Sequence, residues 1–243
     1  MPKIDKTKYT KDQIKVMLQE RRIAKQHLSN RQSTIAKLDN NKSDNVINYD
    51  TAFVLGNGTS RKSIDHTQLK IHGPIYGCNA LYREFEPDFL IAVDVKMILE
   101  INEAGFQHKH KVWTNPNKAY KSIENLNFFK PSKGWSSGPT ALWLASRHNY
   151  NRIFILGFDY KGLNEGRSVN NIYVDTKNYK KSTDGATYYG NWLKQTSQVI
   201  RDNPNTTFIR VISSDNFVPP ELNKFSNVKH ISVEDFQKIF NIS

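Results

Sequence analysis

Six short apolar runs, Thr51–Leu55, Pro74–Cys78, Phe89–Val93, Lys111–Trp113, Arg152–Leu156 and Thr206–Ile212, alternate with stretches of helical character, and several of them show no polar alternation. A strand without polar alternation is covered on both faces. Where strands and helices alternate along a chain, that cover comes from helices on both sides of a parallel sheet. The stretches Asn79–Glu84, Val95–Ala104, Ser137–Asn149, Thr187–Asp202 and Val233–Phe240 are read as those helices. The expectation is therefore an α/β, Rossmann-like domain with a mostly parallel sheet. The apolar runs are far shorter than the roughly twenty residues that cross a bilayer, so no membrane span is expected. The opening Met1-Pro2-Lys3-Ile4-Asp5 lacks the apolar stretch of a secretory leader, and a cytoplasmic location is expected. A single cysteine, Cys78, excludes an internal disulfide framework and a cysteine-based zinc site.

Positive charge is concentrated at the front of the chain. The 243 residues carry 35 Lys+Arg and 23 Asp+Glu, a net charge of +12, and residues 1–45 hold 11 Lys+Arg against 5 Asp+Glu. Thr10-Lys11-Asp12-Gln13 has the form of a capping box, and a helix from Lys11 to Leu38 is expected. Its apolar positions Ile14, Met17, Leu18, Ala24, Leu28, Ile35 and Leu38 approach a coiled-coil spacing, but Arg21 and Arg31 interrupt the seam. Two readings stand for this helix. It is a solvated basic helix that packs on the main domain or pairs with a second subunit in a homo-oligomer, or it is an electrostatic arm for nucleic acid or another polyanion. It carries no interleaved aromatics for base stacking. Polar, turn-rich residues 39–50 read as a linker, dividing the chain into a basic helical arm, 1–45, and a Rossmann-like nucleotide-binding domain, 46–243.

In open α/β sheets ligands bind beyond the carboxyl ends of the strands, so the residues that follow each strand are the candidates for function. Gly56-Asn57-Gly58-Thr59-Ser60 follows the first run, Asn79 the second, Asp94 the third, and Gly157-Phe158-Asp159-Tyr160 the fifth. Ser136-Ser137-Gly138 opens a helix at Pro139, a residue suited to a first helical position. The glycine turn and the Ser136 turn both suit an anion at a helix N-terminus, and two phosphate-sized sites on one sheet edge suggest a nucleotide. Each turn also fits an ordinary strand-to-helix connection. The third glycine of the dinucleotide fingerprint, a Gly-Lys-Ser/Thr element and a Gly-x-Ser-x-Gly elbow are all missing. His108 and His110 read as surface histidines, because a metal site needs three or four ligands.

Taken together, Gly56-Asn57-Gly58-Thr59-Ser60, Cys78-Asn79-Ala80-Leu81-Tyr82, Ser136-Ser137-Gly138 and Gly157-Phe158-Asp159-Tyr160 resemble, in order and spacing, motifs of the bacterial sialyltransferases that cap lipooligosaccharides. The family motifs read Gly-Asn-Gly-Pro-Ser, Cys-Asn-Gln-Phe-Tyr, Thr-Ser-Gly and Gly-Ile-Asp-Phe-Tyr. The resemblance spans Thr51 to Tyr160. The related motility-accessory-factor glycosyltransferases and pterin pyrophosphokinase-like proteins resemble Glu86–Asp94 and Ser137–Asp159. The resemblance implies a cytidine monophosphate sugar (CMP-sugar) as donor, no cofactor, and metal-independent transfer with inversion. It also implies nucleotide-binding roles for Gly56, Asn57, Gly58, Ser60, Asn79, Ser136, Ser137, Gly138 and Asp159.

The departures from the family concern catalysis. Thr59 stands where the family has Pro, and Lys161 where it has a Tyr beside the leaving phosphate; a cation at that place still neutralises phosphate charge. The family's histidine base is missing, because no His lies between His148 and His230. The long polar and aromatic segment Gly162–Thr187 reads as a lid, and Asp175 or Asp184 within it is the expected substitute base, on the premise that a closed apolar site raises a carboxylate pKa. The leading expectation is a nucleotide-sugar glycosyltransferase. The alternatives are a Mg²⁺-dependent pterin pyrophosphokinase-like enzyme, and a non-catalytic nucleic-acid-binding or assembly protein that retains the fold. The Lys- and Asn-rich composition, with 25 Asn, is that of an AT-rich genome such as a marine bacterium or its virus.

Overall fold

The computed structural model describes residues 10–11, 13–19, 22–23, 25–26, 50–212, 214–215 and 217–242. Contacts divide the chain into two units, Met1–Asp44 and Asn45–Ser243. In the first, the described residues between 11 and 26 are helical. The capping box forms: Thr10 N–H donates to Gln13 Oε1 at 2.9 Å and Gln13 N–H to Thr10 Oγ1 at 3.3 Å. The remainder of the expected helix to Leu38 lies outside the described residues.

The second unit is built on one eight-stranded sheet. Its strands are β1 (Thr51–Leu55), β2 (Ile75–Cys78), β3 (Phe89–Ile91), β4 (Val112–Thr114), β5 (Leu126–Phe128), β6 (Arg152–Leu156), β7 (Thr207–Ile212) and β8 (Val228–Ser232). The spatial order is β5-β4-β3-β2-β1-β6-β7-β8, and every pairing is parallel. All five residues of β1 and all four of β2 are buried, as continuous apolar runs require. The α-helices of this unit are α1 (Val95–Glu103), α2 (Ser137–Ser146), α3 (Gly190–Asp202) and α4 (Val233–Phe240). Alternate residues of β1 serve the two faces. Phe53 stacks on Phe154 and meets the rings of Phe236 and the partly buried Phe240 from α4, and the fully buried rings Phe53, Phe154 and Phe236 contribute about 2 kcal/mol each. Helix α2 packs against β1, β2 and β3 and against α3.

Two strands and one helix differ from expectation. Strands β5 and β8 lie at the sheet edges and are only partly buried, with the patterns Leu-Asn-Phe and Val-Lys-His-Ile-Ser, so neither presents a continuous apolar run. The stretch expected as a helix at Asn79–Glu84 is a 3₁₀ turn over Asn79–Arg83, started by Asn79 in the left-handed region at φ 52°. Such a start places the Asn79 side chain at the strand end.

Two partly buried histidines make folding sensitive to acid. His66 lies against the Arg61 guanidinium, and burial followed by that charge lowers its pKa from 6.5 to about 4. His230, opposite Arg210 in the β7–β8 register, is lowered to about 4 by burial and by Arg210. The folded state then binds fewer protons than the unfolded chain between pH 4 and 6.5, so stability is full above 6.5 and falls as pH drops through that window. Asp65 and Glu100 weaken the fold only further down, because both have pKa values lowered from 3.8 and 4.5. We expect the melting temperature to decline already between pH 6.5 and 5, and the slope to flatten in His66→Gln. A melting temperature constant over that interval would contradict this.

Candidate functional site

Successive connections run outward from β1 in one direction and from β6 in the other, which makes the β1/β6 junction the topological switch point of the sheet. A cavity of about 300 Å³ opens there at the carboxyl edge. Two strand-end turns form its floor. Gly56 N–H donates to Leu156 O at 2.8 Å and Gly58 N–H to Gly157 O at 2.9 Å, so the turn after β1 lies directly on the turn after β6. A Cβ on Gly58 would stand 2.5 Å from Asp159 Oδ2, which is why only glycine allows this approach.

Two buried arginines hold the turns from behind. Arg61 Nε donates to Gly56 O at 2.5 Å, and Arg210 donates to Phe158 O at 2.7 Å and Asp159 O at 3.2 Å. Both side chains are nearly inaccessible, at 1% and 2% exposure. They bind turn carbonyls that would otherwise lack partners.

The amides of Gly56, Gly58, Thr59 and Ser60 already have acceptors and are not available to an anion. Ser60 N–H donates to Asp159 Oδ2 at 3.1 Å and the Ser60 hydroxyl contacts Asp159 Oδ1. Thr59 N–H and Oγ1 donate to Asn170 Oδ1 at 2.9 and 2.8 Å. The buried Asp159 carboxylate thus occupies the place where an external phosphate was expected. The element that follows is moreover a three-residue 3₁₀ turn, Thr59–Arg61. The α2 end is different: Ser136 is its N-cap without a side-chain cap bond, and Ser136, Ser137, Gly138 and Pro139 line the cavity. First-turn amides have no intrahelical acceptor and carry the positive end of the helix dipole.

The polar side chains form two groups. Asn79 Oδ1 accepts from Ser137 Oγ at 2.7 Å, and Ser137 Oγ accepts from Val93 N–H at 3.1 Å, joining the ends of β2 and β3 to α2. Asn57 Nδ2 donates to the Tyr179 hydroxyl at 3.0 Å, and the buried Asn57 Oδ1 has no partner among the described residues. Ala80 N–H donates to the same hydroxyl at 3.3 Å, and Ile172 N–H donates to Asn57 O at 2.9 Å. The segment Gly162–Thr187 is therefore fastened onto the strand ends. Arg83 adds to this, with Nη1 on Thr176 Oγ1 at 2.8 Å, Nη2 on Lys177 O at 2.8 Å and Nε on Glu100 at 2.7 Å.

Of the residues singled out in the sequence, Gly56, Asn57, Gly58, Asn79, Ser136, Ser137, Gly138, Asp159 and Lys161 all line the cavity. Ser60 lines a neighbouring depression of about 550 Å³ that shares Asp159, Lys161 and Asn170 with it. Lys161 is held in an ion pair with Asp215, and burial lowers its pKa. Asp175 and Asp184 line neither space. Both are exposed and serve as turn acceptors, Asp175 for Ser182 N–H and Asp184 for Lys181 N–H, each at 2.8 Å. The bond from Ser182 N–H lowers the Asp175 pKa, opposite to the shift expected of a base. Asp94, which follows the third run and was given no role in the sequence, lines the cavity too, as do Asn170, Tyr189 and Trp192, which no sequence motif marked. Asp94 had a signal, since it follows an apolar run. Among the described residues, no group of three His, Cys, Asp or Glu forms a metal-binding cluster, and no helix is long and apolar enough to cross a membrane.

No protein-family model and no curated protein matches the sequence. Among solved structures, the chain is similar to the sialyltransferase CstII from Campylobacter jejuni in complex with the substrate analogue CMP-3FNeuAc, with 15% identity over 74% of this chain and 86% of that chain and a TM-score of 0.45. It is similar also to the sialyltransferase CST-II in complex with a trisaccharide acceptor and CMP, with 14% identity over 79% of this chain and 98% of that chain and a TM-score of 0.43.

Proposed function

We propose that this protein is a nucleotide-sugar glycosyltransferase that transfers a sugar from a CMP-sugar donor without a metal ion. The observation that carries the reading is the cavity at the switch point, which gathers nine of the residues singled out by the sequence motifs. In this reading the donor phosphate lies at the α2 end, against Ser136 and the amides of Ser137 and Gly138, where the positive helix end stabilises charge on the departing phosphate. Asn57 Oδ1 accepts from an N–H or hydroxyl of the nucleoside, which supplies the partner it otherwise lacks. The glycine turn contributes shape and the Asn57 side chain, since the amides of Gly56, Gly58, Thr59 and Ser60 are already bonded.

Ligand-dependent melting tests this. CMP at about one hundred times its dissociation constant should stabilise the fold by roughly 2.7 kcal/mol, a rise of about 5–10 °C for a domain of this size. The rise should be the same with and without Mg²⁺ and should be lost in Asn57→Ala. A shift seen only with ATP and Mg²⁺ would favour the pyrophosphokinase-like alternative, and no shift with any nucleotide would leave the assembly-protein alternative standing.

A further inference from the structure

We infer that Asp94 is the general base that deprotonates the acceptor hydroxyl, an assignment that rests on the glycosyltransferase reading above. Asp94 is the N-cap of α1, with extended backbone at φ −84° and ψ 131°. An aspartate there ordinarily accepts from an amide of the first turn, a bond worth about 1 kcal/mol. Asp94 makes no such bond. The residue is exposed and lines the cavity, and among the described residues no hydrogen bond or ion pair engages its carboxylate. The other carboxylate of the cavity, Asp159, is buried and bonded through both oxygens to Ser60. Asp94 is the lining carboxylate that keeps its lone pairs for a ligand.

Its position suits the role. Asp94 follows β3, two strands from β1, or about 10 Å at ordinary strand spacing. A donor whose nucleotide lies over the β1 and β6 turns therefore carries its far end, the sugar, toward Asp94, with the α2 end and Asn79 in between. In the step, the Asp94 carboxylate takes the proton of the acceptor hydroxyl while the acceptor oxygen forms the new bond to the anomeric carbon. The bond from that carbon to the phosphate oxygen breaks, and its electron pair leaves with CMP. The proton on Asp94 then passes to solvent.

The full chain should be assayed for CMP release from CMP-sialic acid, with water as acceptor. Asp94→Asn should lower turnover ~10²–10⁴-fold, the usual contribution of a positioned base. CMP affinity should stay within about twofold, because the carboxylate lies away from the nucleotide, and melting should be unchanged, because no cap bond is removed. Azide attacks without losing a proton, so it should restore turnover of Asp94→Ala by about tenfold or more. Turnover of Asp94→Asn within about threefold of wild type, loss of CMP affinity together with turnover, or failure of azide would each overturn the assignment. A wild-type chain that neither binds CMP nor releases it from the donor would overturn the glycosyltransferase reading along with it. A wild type that is active beside an equally active Asp94→Asn would overturn the base alone.

Discussion

Replacing Arg61 with methionine is expected to cost about 3–5 kcal/mol of folding stability, because two buried acceptors, Gly56 O and the His66 ring, lose their donor at about 1–3 kcal/mol each. The Arg61 guanidinium is almost wholly enclosed and serves four partners: Gly56 O, the His66 ring, the Tyr173 hydroxyl at 3.0 Å and Glu84 Oε1 at 3.3 Å. Tyr173 also donates to Glu84 at 2.6 Å. Methionine fills much of the volume but leaves the Gly56 carbonyl and the His66 nitrogen without their donor. The turn after β1 and the seat of the segment around Tyr173 would loosen together. A loss of 3–5 kcal/mol corresponds to a fall of about 6–20 °C in melting temperature, to be measured by thermal and urea unfolding. Glu84→Gln should cost much less, because the Glu84 side chain is 48% exposed and water replaces part of what it gives. Arg61→Lys should not rescue the protein, since one ammonium cannot reach positions set by a planar fork. If Arg61→Met unfolds within about 1 kcal/mol of wild type, the guanidinium is not what fixes the turn.

The parts of this molecule that could be read from sequence are those decided locally. Strands β1, β2, β3 and β6 are short continuous apolar runs because helices cover both faces, and their ends point to the cavity through Gly56–Gly58, Asn79, Asp94 and Gly157–Asp159. Helix α4 matched its expected bounds, Val233–Phe240, since its start is a side-chain cap from Ser232 to Asp235 N–H. Strands β5 and β8 were not legible, because an edge strand is held by one neighbour and needs no apolar run. The fate of the glycine turn was hidden for a different reason. Its Ser60 and Thr59 amides are taken by Asp159 and Asn170, which stand 99 and 111 residues further along, and no local pattern announces such a pairing. Asp175 and Asp184 illustrate the converse: a polar segment near a cleft suggested catalysis, while both carboxylates fold the segment's own turns.

Gly157→Ala should be far more damaging than Gly134→Ala, although the two glycines have nearly the same backbone, φ +66° and φ +63°. Left-handed backbone alone costs an L-residue about 1–2 kcal/mol, and at Gly134, where nothing lies within 4 Å of the added carbon, that is the whole expected loss. At Gly157 the new Cβ would stand 2.8 Å from Gly56 O, 3.0 Å from Gly56 C and 3.1 Å from Gly58 N. These are backbone atoms, so no rotamer change relieves the collision, and β1 and β6 must part at the floor of the cavity. Overpacking of this kind adds about 1–3 kcal/mol. The difference between the two variants in urea unfolding therefore isolates the packing of one strand-end turn on the other. The same displacement moves Asn57 relative to the α2 end, so Gly157→Ala should lose the CMP-induced rise in melting temperature even under conditions where it stays folded, and Gly134→Ala should keep it. Equal stability losses in the two variants would show that the turns do not need their close approach. A folded Gly157→Ala with the full CMP response would move the nucleotide site away from the β1/β6 junction.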